Sequence, residues 1–162
     1  MTDTGEILRA VFRLEAERTV CLARLGRVAG AEAAMEDVDA RLGAAIEALD
    51  ARGARYPLHM VAAELALDQA NYLLLQLSLL PRHGLAVVHA LTDAAGERAD
   101  VPRLSHALQI VADGHDDWAR AEAVLRSGPV LAQGLVTLRA EPDGDAALIA
   151  GMAILELLGL AE

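Results

Sequence analysis

The chain has 162 residues, 24 acidic against 14 basic, with a net charge of −10, a pI near 4.9 and Arg as its only basic residue type besides His. Without Lys there is no Walker A lysine, no Schiff-base lysine and no lysine phosphate clamp, and a single Cys makes neither an internal disulfide nor a Cys-based zinc site. An acidic chain is a poor partner for nucleic acid because each phosphate contact needs a local cation.

Residues 4 to 52 read as helix. Ile7, Val11, Leu14, Arg18, Cys21, Leu25, Val28, Glu32, Met35, Asp39, Leu42, Ile46 and Leu49 alternate four and three apart, a stripe interrupted only by Arg18, Glu32 and Asp39. Gly26 and Gly30 bracket a weak point, since an interior Gly costs about 1 kcal/mol relative to Ala. Two arrangements fit: one long helix in search of a partner chain, or an αα-hairpin turning within Leu25-Gly26-Arg27-Val28-Ala29-Gly30. The hairpin is preferred, because its two narrow stripes bury each other.

Arg52-Gly53-Ala54-Arg55-Tyr56-Pro57 is a helix stop followed by Pro, and the main internal boundary is placed there, giving a helical extension (1–54) and a second unit (55–162). Beyond it the spacing predicts a short helix from Leu58 to Leu65. Asp68 then caps a helix from Gln69 to Leu80, too Leu-rich to be exposed on any side. Pro81-Arg82-His83-Gly84 ends that helix, and Leu85 to Leu91 forms the next. Pro102 suits the first position of a helix running to Asp113, ended by Gly114, after which Asp116 caps Asp117 to Arg126. Leu135 to Arg139 is a strand, followed by Glu141-Pro142-Asp143-Gly144 with Pro and Gly where a hairpin turn wants them. Ala146 to Ile149 reads as the returning strand, but Ala146 to Leu158 reads equally as one helix, because the run is apolar throughout.

Few residues invite chemistry. None of His59, His83, His89, His106 and His115 forms an i, i+4 pair with another His or Cys, so each reads as a surface or satisfied histidine. Asp113 to Asp117 fails the EF-hand pattern, because Trp118 stands where Gly is required. Ser105 and His106 point about 100° apart on a helix and make no nucleophile–base pair. Cys21 reads as a small core residue, Tyr72 as core, and Glu32, Glu36, Asp37 and Asp39 as a solvated face. Trp118 seals a small core or anchors a partner. No secretory signal or apolar run of the ~18 residues that a span needs is visible. The lone Cys21 fits a reducing compartment, so the cytoplasm is expected.

The order helix, helix, helix, β-hairpin, closing helix is a winged-helix arrangement. Ala62-Ala63-Glu64-Leu65-Ala66-Leu67-Asp68 leading into Tyr72-Leu73-Leu74-Leu75-Gln76-Leu77 resembles the opening of a winged-helix module found ahead of AAA-type ATPase domains. Val101 to Leu108 is similar to that family's third helix, Ser127 to Leu138 to the short helix entering its wing, and Ile154 to Gly159 to its closing Leu-Leu-Gly. The resemblance covers roughly residues 55 to 162 and implies a mainly α fold with one small β-hairpin. Some members accompany phage-tail-like contractile injection systems. It also implies a non-catalytic adaptor that grips a partner or substrate protein, with the ATPase domain in cis outside this chain and no cofactor within it.

A winged helix often reads DNA with its third helix. Here that helix offers Arg103, His106 and Gln109 beside Asp100 and Asp113, and the wing sets Arg139 against Glu141, Asp143 and Asp145. Residues 53–162 hold fourteen acids and seven Arg, a net of −7, so a protein partner is expected, met by Arg103, His106, Gln109, Trp118 and Arg139. Two alternatives stand: an acidic winged-helix regulator that binds DNA, and a free-standing dimerisation protein built on residues 4–52.

Overall fold

The computed structural model describes residues 3–112 and 115–160, without the side chains of residues 115 and 116. α1 (Thr4–Arg24) opens on Asp3, whose Oδ1 accepts from the Glu6 amide at 2.7 Å, and α2 (Ala31–Ala51) returns along it. The connecting turn bends at Gly26 and Gly30, with φ of 76° and 83°, which side chains with a Cβ rarely adopt. The hairpin is therefore the arrangement present. Two of the interruptions of the apolar stripe explain each other across it: Arg18 Nε meets Asp39 Oδ1 at 2.7 Å, and Arg41 beside them reaches Glu17 and Asp37, each at 2.9 Å.

Pro57 starts α3 (Pro57–Glu64), and Asp68 caps α4 (Gln69–Leu79) by accepting from the Asn71 amide at 2.8 Å. A single 3₁₀ turn (Leu80–His83) follows, then α5 (Leu85–Ala95), one turn longer than Leu91 predicts. α4 is the central helix, with Leu73, Leu74, Leu75, Leu77 and Leu79 all buried and packed against α1, α6, α8 and both strands. One continuous apolar core runs from Val11 and Leu49 of the hairpin to Leu148 and Ile154 near the end of the chain.

α6 (Leu104–Val111) begins later than Pro102 predicts. Pro102 and Arg103 are extended instead, because their backbone serves the sheet: the Leu148 amide donates to the Pro102 carbonyl at 2.9 Å, and Arg103 bridges Ala147. α6 also ends at Val111, short of the predicted Asp113, which with Gly114 lies outside the described residues. α7 (His115–Ser127) starts at His115, one residue ahead of Asp116, whose expected capping side chain lies outside what is described. α8 (Pro129–Ala132) leads into β1 (Val136–Ala140), which pairs antiparallel with β2 (Ala146–Ala150), and α9 (Met152–Leu157) closes the chain. The Ala146–Leu158 run is thus both candidates in succession, a strand and then a helix. Ala146, Ala147 and Leu148 are consecutive buried residues because β2 lies between β1 and the Pro102–Arg103 segment, with α4 against it.

Gly151 makes that succession possible. Its amide donates to the Leu135 carbonyl at 2.8 Å, and an added Cβ would stand 2.5 Å from the Gly134 carbonyl oxygen and 2.8 Å from that of Leu135. Both obstacles are backbone, so neither turns aside. Gly151→Ala is expected to lower stability by about 2–4 kcal/mol, read as an earlier midpoint with unchanged slope in urea unfolding. A change below about 0.5 kcal/mol contradicts this packing.

Candidate functional site

Three of the five expected partner contacts meet. His106, Gln109 and Trp118 line a groove of about 520 Å³ between α6, α7 and the turn from β1 to β2. Gln109 is exposed, and Trp118 is half-buried against the core. Arg103 stands at the neighbouring rim, its guanidinium held by Asp143 at 2.7 Å and Asp145 at 4.0 Å. Arg139 lies apart, exposed on β1 and paired with Glu141 at 3.3 Å.

His106 is not a surface contact. It is 2% exposed, and both ring nitrogens are committed: Nδ1 accepts from the Arg103 amide at 2.9 Å, and Nε2 donates to the Glu97 carbonyl at 2.7 Å. Those partners select the Nε2–H tautomer, and burial holds the ring below the usual histidine range, so it is neutral. Its work is to cap α6 and to fasten the α5–α6 loop. Ser105 turns away from it, as the helical spacing predicts, and donates to Asp145 at 2.5 Å.

Six of the fourteen arginines, including both of those expected to meet a partner, are engaged by the protein's own acids. Arg18, Arg41, Arg98, Arg103, Arg126 and Arg139 each lie within 4.0 Å of a carboxylate. Arg27 donates instead to the carbonyls of Ala23 and Gln109, at 2.7 and 2.9 Å, tying the α1–α2 turn to α6. Asp143 is held below the ordinary aspartate range by the Asp145 amide and by Arg103, so the rim of the groove stays ionised. Among the described residues no group of three or more His, Cys, Asp and Glu is placed to hold a metal ion.

A second polar centre lies where α1, α3 and α4 meet, and sequence reasoning did not find it. Glu15 is 6% exposed in the middle of α1. Its Oε1 accepts from His59 Nε2 at 2.6 Å and from the Tyr72 hydroxyl at 2.5 Å, and its Oε2 accepts from Gln76 Nε2 at 2.8 Å. Burial and the Glu15 charge both push the Tyr72 hydroxyl well above its ordinary range, so it remains a donor. Tyr56 packs edge-on against His59, with ring centroids 5.0 Å apart, and its buried hydroxyl has no partner. Beside the centre opens a cleft of about 360 Å³, where Leu22, Ala62, Leu67 and the Tyr72 ring stand among polar side chains. One signal pointed to it: Tyr72 and Gln76 are polar groups at i, i+4 flanking the Leu73–Leu75 run, and so share one face.

Comparison with protein-family models, with curated proteins and with solved structures finds no match to this chain.

Proposed function

We propose that the chain is a non-catalytic, cytoplasmic protein-interaction region of the kind that precedes AAA-type ATPase domains, residues 55–162 forming a winged-helix-like module and residues 1–54 a helical brace. The observation that carries this reading is the build of the sheet. A hairpin preceded by helices and closed by α9 has its second strand flanked by β1 on one side and by the extended Pro102–Arg103 segment on the other. The groove between α6, α7 and the wing turn, with Trp118 in its wall, is the face offered to the partner.

The state of the arginines favours a protein partner over nucleic acid. A guanidinium already paired with a carboxylate must break that pair to meet a phosphate, and the net charge of −10 repels the polyanion throughout. Packing of α1 against α2, α4 and α5 gives the stripe partners within the chain, which favours the adaptor reading over dimerisation through residues 4–52. Reading the coding sequence onward from this segment tests the proposal. A strand followed by Gly-x4-Gly-Lys-Ser/Thr is expected, and a continuation lacking any nucleotide-binding loop overturns it.

A further inference from the structure

We propose, independently of the adaptor reading, that the cleft beside Glu15 is a binding site for a small organic cation: a primary ammonium carried on an apolar body. The cleft encloses about 360 Å³, within the roughly 300–1,000 Å³ usual for small-molecule sites. Leu22, Ala62, Leu67 and the ring of Tyr72 supply apolar wall for the body of such a ligand.

The direction of the hydrogen bonds selects the charge. The donors of His59, Tyr72 and Gln76 that reach Glu15 are all spent on it. Gln76 keeps its Oε1 as an acceptor. Asp68 takes both of its side-chain bonds, from the Asn71 amide and from Asn71 Nδ2, on Oδ1, leaving Oδ2. Those bonds hold Asp68 below the ordinary aspartate range, so it is ionised at the mouth of the cleft. The wall's Arg18 is drawn to Asp39, which offsets its charge. The cleft thus sets one guanidinium and the amides of Gln69 and Gln76 against the carboxylates of Asp68 and Asp39 and the buried Glu15 behind its wall, so negative charge prevails around the aromatic face of Tyr72. A concave surface of this kind concentrates cations and disfavours anions.

The test uses the full chain and two-dimensional amide NMR with benzylamine, its neutral isostere benzyl alcohol, benzoate, and N-acetyl-lysine amide as the mimic of a partner's side chain. Benzylamine is expected to shift the amides of Leu22, Ala62, Leu67 and Tyr72 saturably and to bind about tenfold more tightly than benzyl alcohol. Benzoate should move none of them, and the lysine derivative, lacking the apolar body, should bind more weakly than benzylamine. Asp68→Asn keeps the helix cap and should weaken benzylamine several-fold, while Ala62→Phe fills the cleft and should abolish the shifts. The proposal is overturned by equal affinity for benzyl alcohol or benzoate, by tighter binding of the lysine derivative, by the absence of saturable shifts, or by unchanged binding in Asp68→Asn. Asp68→Asn retains its cap, so its result stands whether or not Ala62→Phe folds.

Discussion

Glu15→Ala is expected to destabilise the protein by about 3–5 kcal/mol. The substitution strips the acceptor from three donors at once: His59 on α3, and Tyr72 and Gln76 on α4. Gln76 is itself buried, so its amide has little water to turn to. A donor left unmet in the interior costs roughly 1–3 kcal/mol, against the 0.5–1.5 kcal/mol that a made bond contributes. Tyr72→Phe removes one donor and leaves the carboxylate two others, so about 1–2 kcal/mol is expected. The double variant should fall short of the sum of the singles, because the shared bond is lost only once. Urea unfolding of the four proteins checks this. Additivity within about 0.3 kcal/mol denies that the centre acts as a unit.

The second large effect is expected at His106. Truncation to Ala leaves the Arg103 amide and the Glu97 carbonyl unmet in the interior and opens a cavity, and about 2–4 kcal/mol is expected. The same residue sets a pH dependence. Its folded pKa lies below its unfolded one, so the unfolded chain binds more protons once pH falls through the unfolded value near 6.5. Stability is therefore full above about pH 6.5 and declines as pH drops towards the folded value. His83, half-buried and lowered by partial desolvation, adds in the same direction. Asp68, Asp93 and Asp143 are shifted below the ordinary aspartate range, and their contribution is lost only at more acid pH, as it falls through their folded values. His106→Gln should flatten the slope of stability between about pH 7 and pH 5, by comparison with the parent chain. An unchanged slope contradicts the neutral, buried ring.

Local rules made most helices legible. Asp68, Pro57 and the Gly26–Gly30 turn each act within a few residues, and each stands where its chemistry requires. Pro102 was misread because a Pro suits a helix start and an extended segment alike, and only the distant Leu148 amide decides between them. The Ala146–Leu158 run was ambiguous for a related reason: its strand half is buried on both sides, which erases the alternation that marks a strand. The Glu15 centre was the least accessible, since its partners lie 44, 57 and 61 residues away. From the sequence Glu15 is merely a charged neighbour of Leu14, and no local rule says that three donors will converge on it. Of the two readings of its type, surface or satisfied, His106 takes the second, with both ring nitrogens bonded inside the fold. A histidine at the start of a helix reads as either until the fold shows its ring turned inward to cap that helix.

The preference for a protein partner over nucleic acid leans on the net charge of −10 and on the carboxylates that hold Arg103 and Arg139. Fluorescence anisotropy of a labelled DNA duplex, titrated with the full chain at low and at moderate salt, tests this most directly. The account predicts no saturable rise in anisotropy even at low salt, where phosphate contacts are strongest. Saturable binding that weakens steeply as salt is raised would contradict it, because phosphate contacts would then outweigh the net negative charge.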